Sequence, residues 1–376
     1  MEKYNKLTVL AGEEPVGTLA LYRNSLCAFE YSDDWLRNGF PLNPLSLPLR
    51  KEVFIPKYDP FDGLFGVFSD SLPDGFGRLL VDRMLLKQGE NPAAIGPLNR
   101  LAIVGNSGSG LLSYRPELPV GAGVTATADY DRYAEECRKI LNSRYSQDLD
   151  ELFALGSSSG GARPKIFTEI EGEPWIIKFP SSIDPEDIGE QEYRYCLCAM
   201  HCGIEVPEVR LFPSRRCSGY FGVKRFDRRR EQGTPHRVHT VTVSGLLEVS
   251  HRIPALDYNS LMALTLHLTR SFDEVEKMFR LMCFNVFAHN RDDHSKNFSF
   301  LYDGAWHLAP AYDLTYSNSL GGEHATCVNG EGAAPGLPHL LAVADKIGLP
   351  HEESRDTAER IRETVQQELG KYIRKT

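Results

Sequence analysis

The sequence predicts an α+β fold, with a β-rich amino-terminal part followed by a mainly helical carboxy-terminal part. Three short runs of β-branched, aromatic and other apolar residues lie at 7–10, 16–22 and 26–31, separated by turn residues. This arrangement is typical of a small antiparallel meander. In the last third of the chain, apolar residues recur at helical spacing, for example at 261–269 and 272–287.

Composition and charge argue against several classes of protein. With 376 residues, 41% hydrophobic and 25% charged, the chain is long enough for two or three globular domains. A net charge of −9 argues against a protein that coats nucleic acid by itself, because such proteins need a basic surface. The start lacks the apolar run of a signal peptide and no stretch approaches the length of a membrane span, so we expect a cytoplasmic protein. The 8 cysteines form no Cys-x-x-Cys pair, which predicts structural thiols in a reducing compartment.

We predict three domains, of which only the boundary after the first is marked by a change in composition. Residues 1–114 hold the strand-like runs and form a predicted β-rich domain, and residues 115–127 have the Pro-, Gly- and Thr-rich composition of a linker. A second domain at 128–227 carries predicted strand pairs and a glycine-rich loop, and a helical third domain occupies 228–376. Within the third domain, the glycine-rich stretch at 321–336 is predicted to be a mobile loop.

A polar loop in the third domain is the strongest chemical signal in the sequence. It follows an apolar helical run that ends near Ala288 and precedes a strand-like run that begins at Phe298. Asp292 and Asn297 are five residues apart on this loop, and a predicted hairpin returns the chain to a second carboxylate at Asp313. In phosphoryl transfer, one Asp orients the acceptor hydroxyl while an Asn and a later Asp hold magnesium. Mg²⁺ prefers oxygen ligands and needs few protein groups, because water and phosphate complete its shell.

Other interpretations of this loop stay open at the level of the sequence. Polar loop residues often cap turns, and a histidine–aspartate metal hydrolase would use similar groups, although its further histidines are not evident. Asp293 competes with Asp292 for the acceptor-orienting role. The five-residue spacing to Asn297 favours Asp292.

A serine- and glycine-rich segment of the second domain, Gly156 to Lys165, is a candidate phosphate-binding loop. Small residues allow backbone N–H groups to approach a phosphate closely, and Lys165 adds positive charge. The segment lacks the Gly-Lys-Ser/Thr ending of a Walker sequence, and taken alone it is more typical of a flexible loop. Its position before a predicted strand pair, 165–170 and 175–179, favours phosphate binding.

The second strand of that pair carries a lysine among apolar residues. Lys178 is flanked by isoleucine and phenylalanine, and a lysine in a buried apolar run requires an anionic partner. In kinases, such a lysine contacts nucleotide phosphates and a carboxylate on a helix. The helix predicted to end near His201 begins with Glu190 and Glu192, although the helix dipole also explains carboxylates in a first turn.

These motifs resemble those of the HipA family, bacterial serine/threonine kinases that form the toxin half of HipA–HipB toxin–antitoxin pairs. The resemblance is carried by Asp-x-His-x-Lys-Asn at 292–297, a Tyr-Asp at 312–313 and, in the amino-terminal part, Leu72-Pro73-Asp74-Gly75. It covers nearly the whole chain. The common form of the motif has Gly and Thr where this sequence has His289 and Arg291, which leaves the chemical residues unchanged.

The resemblance implies a bilobed protein-kinase-like fold that uses ATP and Mg²⁺. Asp292 would orient the acceptor, His294 and Lys296 would steady the loop and the transferred phosphate, and Asn297 and Asp313 would bind Mg²⁺. The residues implied in ATP binding are Gly160, Gly161, Ala162, Arg163, Pro164, Lys165, Lys178, Lys224, Arg225, Phe226, Asp227 and Tyr312, with 224–226 offering backbone groups to adenine and Asp227 near the ribose. Considered without the resemblance, Arg225 to Arg230 is either a solvated basic turn or a surface for phosphate or an acidic partner.

The resemblance also implies a HipB-like helix-turn-helix antitoxin as partner, and a protein substrate such as an aminoacyl-tRNA synthetase. Because the chain is acidic, we expect DNA contact only indirectly, through the antitoxin. Three alternatives stay open: a small-molecule phosphotransferase of the aminoglycoside-phosphotransferase kind, a binding module that acts as co-repressor with the antitoxin, and a nucleotide-binding structural protein without turnover. The intact Asp292, Asn297, Asp313 and Lys178 argue against an inactive enzyme.

Ser158 is implied as a site of autophosphorylation. Counted from Gly161 and Lys165, it matches the serine that HipA kinases modify in themselves, and Ser157 and Ser159 leave the register open by one residue. A phosphate adds about −1.5 to −2 charges, which would repel ATP phosphates or capture the N–H groups of the loop. Activity would then fall. Serines of an unmodified flexible loop are the competing explanation.

Overall fold

The computed structural model describes residues 2–118, 126–231, 234–318 and 321–373 of the chain. Its strands are β1 (Lys6–Ala11), β2 (Glu14–Tyr22), β3 (Leu26–Tyr31), β4 (Leu112–Arg115), β5 (Lys165–Ile170), β6 (Glu173–Lys178), β7 (Val209–Phe212), β8 (Tyr220–Lys224), β9 (Arg228–Glu231), β10 (Thr234–Arg237), β11 (His239–Thr242), β12 (Leu256–Asp257), β13 (Ser299–Tyr302), β14 (Trp306–Leu308) and β15 (Thr326–Cys327). Its helices are α1 (Asp33–Asn38), α2 (Gly66–Ser69), α3 (Gly75–Lys87), α4 (Pro97–Val104), α5 (Tyr130–Leu141), α6 (Leu149–Gly156), α7 (Ile188–His201), α8 (Val243–Leu247), α9 (Tyr258–Thr269), α10 (Phe272–Phe287), α11 (Leu337–Ile347) and α12 (His351–Ile373). This mixture of helix and sheet confirms the predicted α+β fold.

The chain divides into two compact units. The amino-terminal unit comprises Met1–Glu186, Phe212–Val241 and Gly245–Glu248, and the carboxy-terminal unit comprises Asp187–Leu211, Thr242–Ser244 and Val249–Thr376. The predicted division at 114, 128 and 227 is finer than this one and stays a prediction. Residues 119–125 of the predicted linker lie outside the described residues.

The first sheet of the amino-terminal unit has the strand order β3-β2-β1-β4, with every neighbouring pair antiparallel. The meander predicted between residues 7 and 31 is present as β1, β2 and β3. The fourth strand, β4, pairs with the free edge of β1, with Val9 opposite Tyr114. That pairing spans about a hundred residues of sequence, and no local pattern predicts it.

The second sheet of this unit contains β5, β6 and β8 in that order, all antiparallel. The turn between β5 and β6 lies at Gly172, whose φ of +78° suits glycine. Helices α3, α5 and α6 contribute to one core with this sheet; its members include Leu80, Tyr133, Leu152 and Ile177, each 0% exposed. The glycine-rich loop lies between α6 and β5.

The carboxy-terminal unit is mainly helical, as its apolar spacing predicts. Helix α10 is the most deeply buried of its helices, with Phe279 and Phe284 at most 2% exposed, and it packs against α9 and α12. The predicted hairpin is present as β13 and β14, with Tyr302 opposite Trp306 around Asp303 and Gly304. None of the described helices is long and apolar enough to cross a membrane.

The prediction of a mobile loop at 321–336 is wrong for residues 324–327. Thr326 is 0% exposed and pairs in parallel with Leu256 through β15 and β12, and His324 is 4% exposed. Glycine-rich composition is typical of loops, but it does not reveal anchoring by a distant strand and by buried polar groups.

Candidate functional site

The glycine-rich loop packs against the amino-terminal end of α3. Asp74 accepts a hydrogen bond from the Gly161 N–H through Oδ1, and the Phe76 N–H donates to the Gly161 carbonyl at 3.2 Å. Gly75 has a φ of +47°, and a Cβ at this position would lie 2.2 Å from the Gly161 carbonyl oxygen. Only glycine fits here, which gives the Asp74-Gly75 pair a physical role: it holds the loop by its backbone.

Two of the three candidate serines are buried by this packing. Ser158 is 6% exposed and donates to the Ser107 carbonyl at 2.9 Å, and Ser159 is 1% exposed and donates to the Gly156 carbonyl at 2.7 Å. Ser157 is half-buried. Phosphorylation of Ser158 therefore requires the loop to leave this arrangement, and it stays a prediction.

The structure brings together the two predicted phosphate-binding lysines. Lys165 and Lys178 are directly opposite each other on β5 and β6, so their side chains project from the same face of the sheet. Lys165 is buried and donates to the Gly160 carbonyl within its own loop. Lys178 is half-buried, and its Nζ lies 5.4 Å from the ring centroid of Phe221 on β8. This distance allows a cation–π contact between the amine and the ring.

The other predicted residues of this loop have varied surroundings. Arg163 forms a two-pronged ion pair with Asp184, with N···O distances of 3.1 and 3.2 Å. Burial alone would raise the pKa of Asp184, but the Arg163 guanidinium and Ser181 lower it overall. Gly160 and Ala162 are exposed, and the Pro164 carbonyl accepts the Phe179 N–H at 2.8 Å.

Residues 224–227, which are predicted to contact adenine and the ribose, are held mainly by ion pairs of their own side chains. Lys224 Nζ lies 3.1 Å from Glu173 Oε2, and the Arg225 guanidinium binds both oxygens of Asp227 at 2.9 and 2.7 Å. Burial alone would raise the pKa of Asp227, but Arg225 and Arg228 hold that pKa well below its usual range. A ribose contact by the Asp227 carboxylate would compete with these arginines. The Arg225 N–H already donates to the Pro174 carbonyl at 2.9 Å, and Phe226 is half-buried.

Two arginines that follow residues 224–227 hold a second loop, which the sequence did not indicate. Arg228 and Arg237 donate to backbone carbonyls within 106–112 at 2.7 to 3.0 Å. Burial lowers the pKa of Arg228 to about 9. The interpretation of 225–230 as a solvated turn or a phosphate surface is therefore wrong for Arg225 and Arg228, whose charges are used inside the unit. The same loop supplies the carbonyl that accepts the Ser158 hydroxyl.

In the carboxy-terminal unit, Asp292 and Asp293 are neighbours in opposite environments. The side chain of Asp292 is 60% exposed, whereas that of Asp293 is 0% exposed. The His294 Nδ1 accepts the Lys296 N–H at 3.2 Å, so the proton of a neutral ring is assigned to Nε2, which lies 3.9 Å from Asp292 Oδ1. This geometry favours Asp292 over Asp293 as the group available to an incoming molecule.

The predicted metal-binding residues adjoin a common hydrogen bond. The Asn297 side chain donates to the Asp292 carbonyl at 2.7 Å, and the Tyr312 hydroxyl donates to the Lys296 carbonyl at 2.6 Å. Asn297 follows Lys296 and Asp313 follows Tyr312, so this bond joins the segments that carry the two candidate ligands. Asp313 has a φ of +53°, a conformation that costs a non-glycine residue energy and is concentrated at functional sites.

The two departures from the common family motif both contact the segment after Asp313. His289 has a φ of +53°, which explains why glycine suits this position, and its ring stacks on Tyr316 with centroids 6.4 Å apart. Burial lowers the pKa of His289. The Arg291 Nη1 donates to Asn318 Oδ1 at 2.8 Å. These side chains fix residues 316–318 beside the polar loop.

Buried polar atoms without a hydrogen-bond partner concentrate around this loop. Among the residues that the structure describes, they include Asn290 Oδ1, Arg291 Nε, Ser295 Oγ, Thr315 Oγ1 and the Tyr316 hydroxyl. Buried polar groups are normally satisfied, and an exception calls for a bound water, an ion or a functional rearrangement. The presence of five such atoms between residues 290 and 316 is consistent with the predicted site at this loop.

The predicted ligands, Asn297 and Asp313, offer the oxygen atoms that Mg²⁺ prefers. No group of three or more His, Cys, Asp or Glu side chains in the described part of the chain could hold a metal ion. Asn297 and Asp313 offer one amide oxygen and one carboxylate. Mg²⁺ keeps several waters and takes one or two protein groups together with phosphate oxygens, so this small set suffices.

Sequence comparison identifies relatives over most of the chain. The HipA N-terminal domain matches residues 7–115, and the HipA-like C-terminal domain matches residues 157–369. The Sinorhizobium fredii protein named "Putative kinase Y4dM" is 26% identical over 97% of this chain and 91% of its own length. A second protein of that organism, "Putative kinase Y4mE", is 28% identical over 80% of this chain and 74% of its own length.

The fold is also similar to that of a solved structure. HipA of Shewanella oneidensis, determined in complex with HipB and its operator DNA, superposes with a TM-score of 0.72 at 20% identity, covering 98% of this chain and 90% of that one. At that identity the likeness supports the fold alone. Because the C-terminal domain match covers more than half of the sequence and the N-terminal match adds most of the remainder, the chain belongs to the HipA family.

Proposed function

We propose that this chain is an ATP- and Mg²⁺-dependent serine/threonine protein kinase. The observation that carries the proposal is the polar loop of the carboxy-terminal unit. There the exposed Asp292, the Asn297 bonded to its backbone and Asp313, whose neighbour Tyr312 donates to the Lys296 carbonyl, would supply the groups that phosphoryl transfer uses. The family membership and the kinase names of the Sinorhizobium relatives agree with this assignment.

Each unit has a separate chemical task in this proposal. In the amino-terminal unit, Lys165 and Lys178 project from one face of a sheet beside the glycine-rich loop, which suits triphosphate binding. The backbone of 224–226 would accept adenine. In the carboxy-terminal unit, Asn297 Oδ1 and the Asp313 carboxylate would hold Mg²⁺, which would neutralise charge on the phosphates.

Asp292 would orient the hydroxyl of the acceptor. Its carboxylate would accept a hydrogen bond from the serine or threonine hydroxyl and take the proton as the oxygen bonds to the γ-phosphorus. The bond from the γ-phosphorus to the bridging oxygen breaks, and ADP leaves. His294 Nε2 faces Asp292, and Lys296 shares the short helical turn 295–297, so both would steady the loop during this step.

The partners that we propose are inferred from membership of the HipA family. The Shewanella HipA was solved with HipB and operator DNA, and we propose a HipB-like antitoxin as partner of this chain. With a net charge of −9, this chain would contact DNA mainly through such a partner. We propose a protein as the substrate, and Ser158 as a site of self-modification that removes the loop from its packed position.

The test is transfer of label from γ-labelled ATP to protein, followed by identification of the modified amino acid. Label on serine or threonine, dependent on Mg²⁺, supports the proposal. Label only on a small molecule supports a small-molecule phosphotransferase instead. Tight antitoxin binding without any transfer supports the co-repressor alternative, and ATP binding without either supports a structural role.

A further inference from the structure

Asp293 is a buried carboxylate that accepts hydrogen bonds from three surrounding groups, and it is not a second acceptor-orienting group. Its residue is 1% exposed, and its Oδ2 accepts the Tyr258 hydroxyl and His324 Nδ1, each at 2.9 Å. Its Oδ1 accepts the Thr326 N–H at 3.2 Å. An ionised carboxylate can only accept hydrogen bonds, so we assign a proton to His324 Nδ1. Three donors around one buried carboxylate replace the water that it has lost.

A chain of hydrogen bonds connects Asp293 to both helices that precede the polar loop, α9 and α10. The Asn285 side chain on α10 donates to the Tyr258 hydroxyl on α9 at 3.0 Å, and the Asn290 side chain donates to Asn285 Oδ1 at 2.9 Å. All four of these residues are at most 3% exposed. The polar loop is therefore attached to the helical core through hydrogen bonds with defined directions.

The stretch around His324 holds the loop on the other side. The Thr326 hydroxyl donates to the Asp293 carbonyl at 2.5 Å, and the Ala325 N–H donates to the Arg291 carbonyl at 3.0 Å. Arg291 and Asp293 are the two neighbours of Asp292. Residues 325 and 326 thus bind the backbone carbonyls on both sides of Asp292, while the Asp292 side chain stays exposed.

We propose that Asp293, His324 and Thr326 are positioning residues that fix the direction of the Asp292 side chain by holding the backbone on both sides of it. The inference rests on the proposed function for its kinetic consequence, but the geometry itself does not. A group that orients an acceptor must be held within a fraction of an ångström, and a misplacement of about 1 Å costs about 10²-fold in rate. The stretch predicted to be a mobile loop is part of that support.

The decisive substitution is Thr326→Val, which keeps the branched shape and removes the hydroxyl. We expect kcat to fall about 10- to 100-fold, while KM for ATP changes less than about twofold, because the nucleotide groups are untouched. Thr326→Ser restores the hydroxyl and should recover most of kcat. Thr364→Val on α12 is the matched control, because it also removes a hydroxyl that donates to a backbone carbonyl, at 3.0 Å.

A second pair of variants tests the histidine. His324→Asn keeps an N–H donor near the position of Nδ1, and His324→Leu removes it. We expect the Asn variant to retain most of kcat and the Leu variant to lose about as much as Thr326→Val. If kcat falls equally in His324→Leu and His324→Asn, packing is responsible and the positioning role is overturned. The same conclusion follows if Thr326→Ser fails to recover the kcat that Thr326→Val loses.

Amide hydrogen exchange followed by mass spectrometry tests the same inference without a measurement of phosphate transfer. Removing one hydrogen bond from the loop should raise the exchange of residues 291–297 in Thr326→Val about tenfold, with little change elsewhere. If wild type transfers no phosphate, the proposed function fails and exchange still decides the positioning role. Unchanged exchange in 291–297 contradicts the inference whatever the kinetics show.

Discussion

The side-chain amide of Asn297 donates to the backbone carbonyl of Asp292 at 2.7 Å, so a candidate metal ligand is tied directly to the candidate acceptor-orienting residue. With Nδ2 used as donor, Oδ1 is the atom of Asn297 that remains to face a cation. A shift of either residue would be transmitted to the other. We therefore expect metal binding at Asn297 and acceptor orientation by Asp292 to be coupled through this hydrogen bond.

Asp313→Ala should weaken the binding of Mg²⁺–ATP, because it removes the one carboxylate of the proposed ligand set. We expect an increase in Kd of at least about tenfold in the presence of Mg²⁺, which corresponds to about 1.4 kcal/mol. Calorimetric titration with ATP checks this, with and without EDTA. The affinity for metal-free ATP should stay within about twofold of wild type, and an equal loss in EDTA would refute the metal assignment.

Gly75→Ala should displace the glycine-rich loop, because the new Cβ would lie 2.2 Å from the Gly161 carbonyl oxygen. We expect a loss of about 1–3 kcal/mol in the free energy of unfolding, together with altered ATP affinity. Denaturant titration and nucleotide titration measure the two effects. Gly89→Ala is the control, since Gly89 also has a positive φ, +77°, but nothing lies within 4 Å of its Cβ. Equal effects of the two substitutions on ATP affinity would exclude a role for the contact.

Stability should fall in acid partly because of His239. This ring is fully buried, its Nε2 lies 2.8 Å from the Leu42 carbonyl, and burial lowers its pKa to about 4 from an ordinary value of 6.5. The unfolded chain therefore takes up the proton first. The stabilisation is complete above pH 6.5 and is lost as the pH falls towards 4, by up to about 3 kcal/mol.

Urea titrations between pH 7 and pH 4 measure this loss, and His239→Gln is the matched variant. Glutamine keeps an N–H donor for the Leu42 carbonyl but does not titrate. The variant should show a flatter dependence of unfolding free energy on pH. The same slope in both proteins would assign the acid sensitivity to other groups.

Self-modification should occur at Ser158 and should require opening of the loop. Incubation with Mg²⁺–ATP followed by peptide mass spectrometry should find phosphate on Ser158, and Ser158→Ala should remove it while Ser157→Ala does not. Because the Ser158 hydroxyl is buried against the Ser107 carbonyl, modification should be slower than transfer to an external protein. Phosphate on Ser157 or Ser159 in place of Ser158 would show that the register was assigned wrongly.

Local pattern predicted much of the fold and of the polar loop. Helices α9 and α10 follow from apolar spacing, and the turn at Gly172 and the hairpin around Gly304 follow from turn residues. The spacing of Asp292 and Asn297 identified the loop because both residues belong to one continuous segment. Such features depend on interactions within a few residues.

The remaining features depend on contacts between distant segments, which no local pattern encodes. The fit of Gly75 against Gly161 and the use of Arg237 to hold the loop at 106–112 are of this kind. The anchoring of Thr326 to Asp293 was hidden in the same way, since glycine-rich sequence favours a loop prediction. The five-residue spacing to Asn297 favours Asp292 in the sequence, but an exposed and a buried aspartate look identical there, so the burial of Asp293 is visible only in the structure.

The most direct test of the central claim is the initial rate of phosphate transfer from γ-labelled ATP by wild type and by Asp292→Asn. We predict Mg²⁺-dependent transfer to protein serine or threonine by wild type, a rate lower by about 10²–10⁴-fold in Asp292→Asn, and an ATP affinity of the variant within about twofold of wild type. Asp356→Asn, which alters an exposed carboxylate on α12, should behave as wild type. Transfer by Asp292→Asn at the wild-type rate, or no Mg²⁺-dependent transfer by wild type to any protein including itself, would contradict the account.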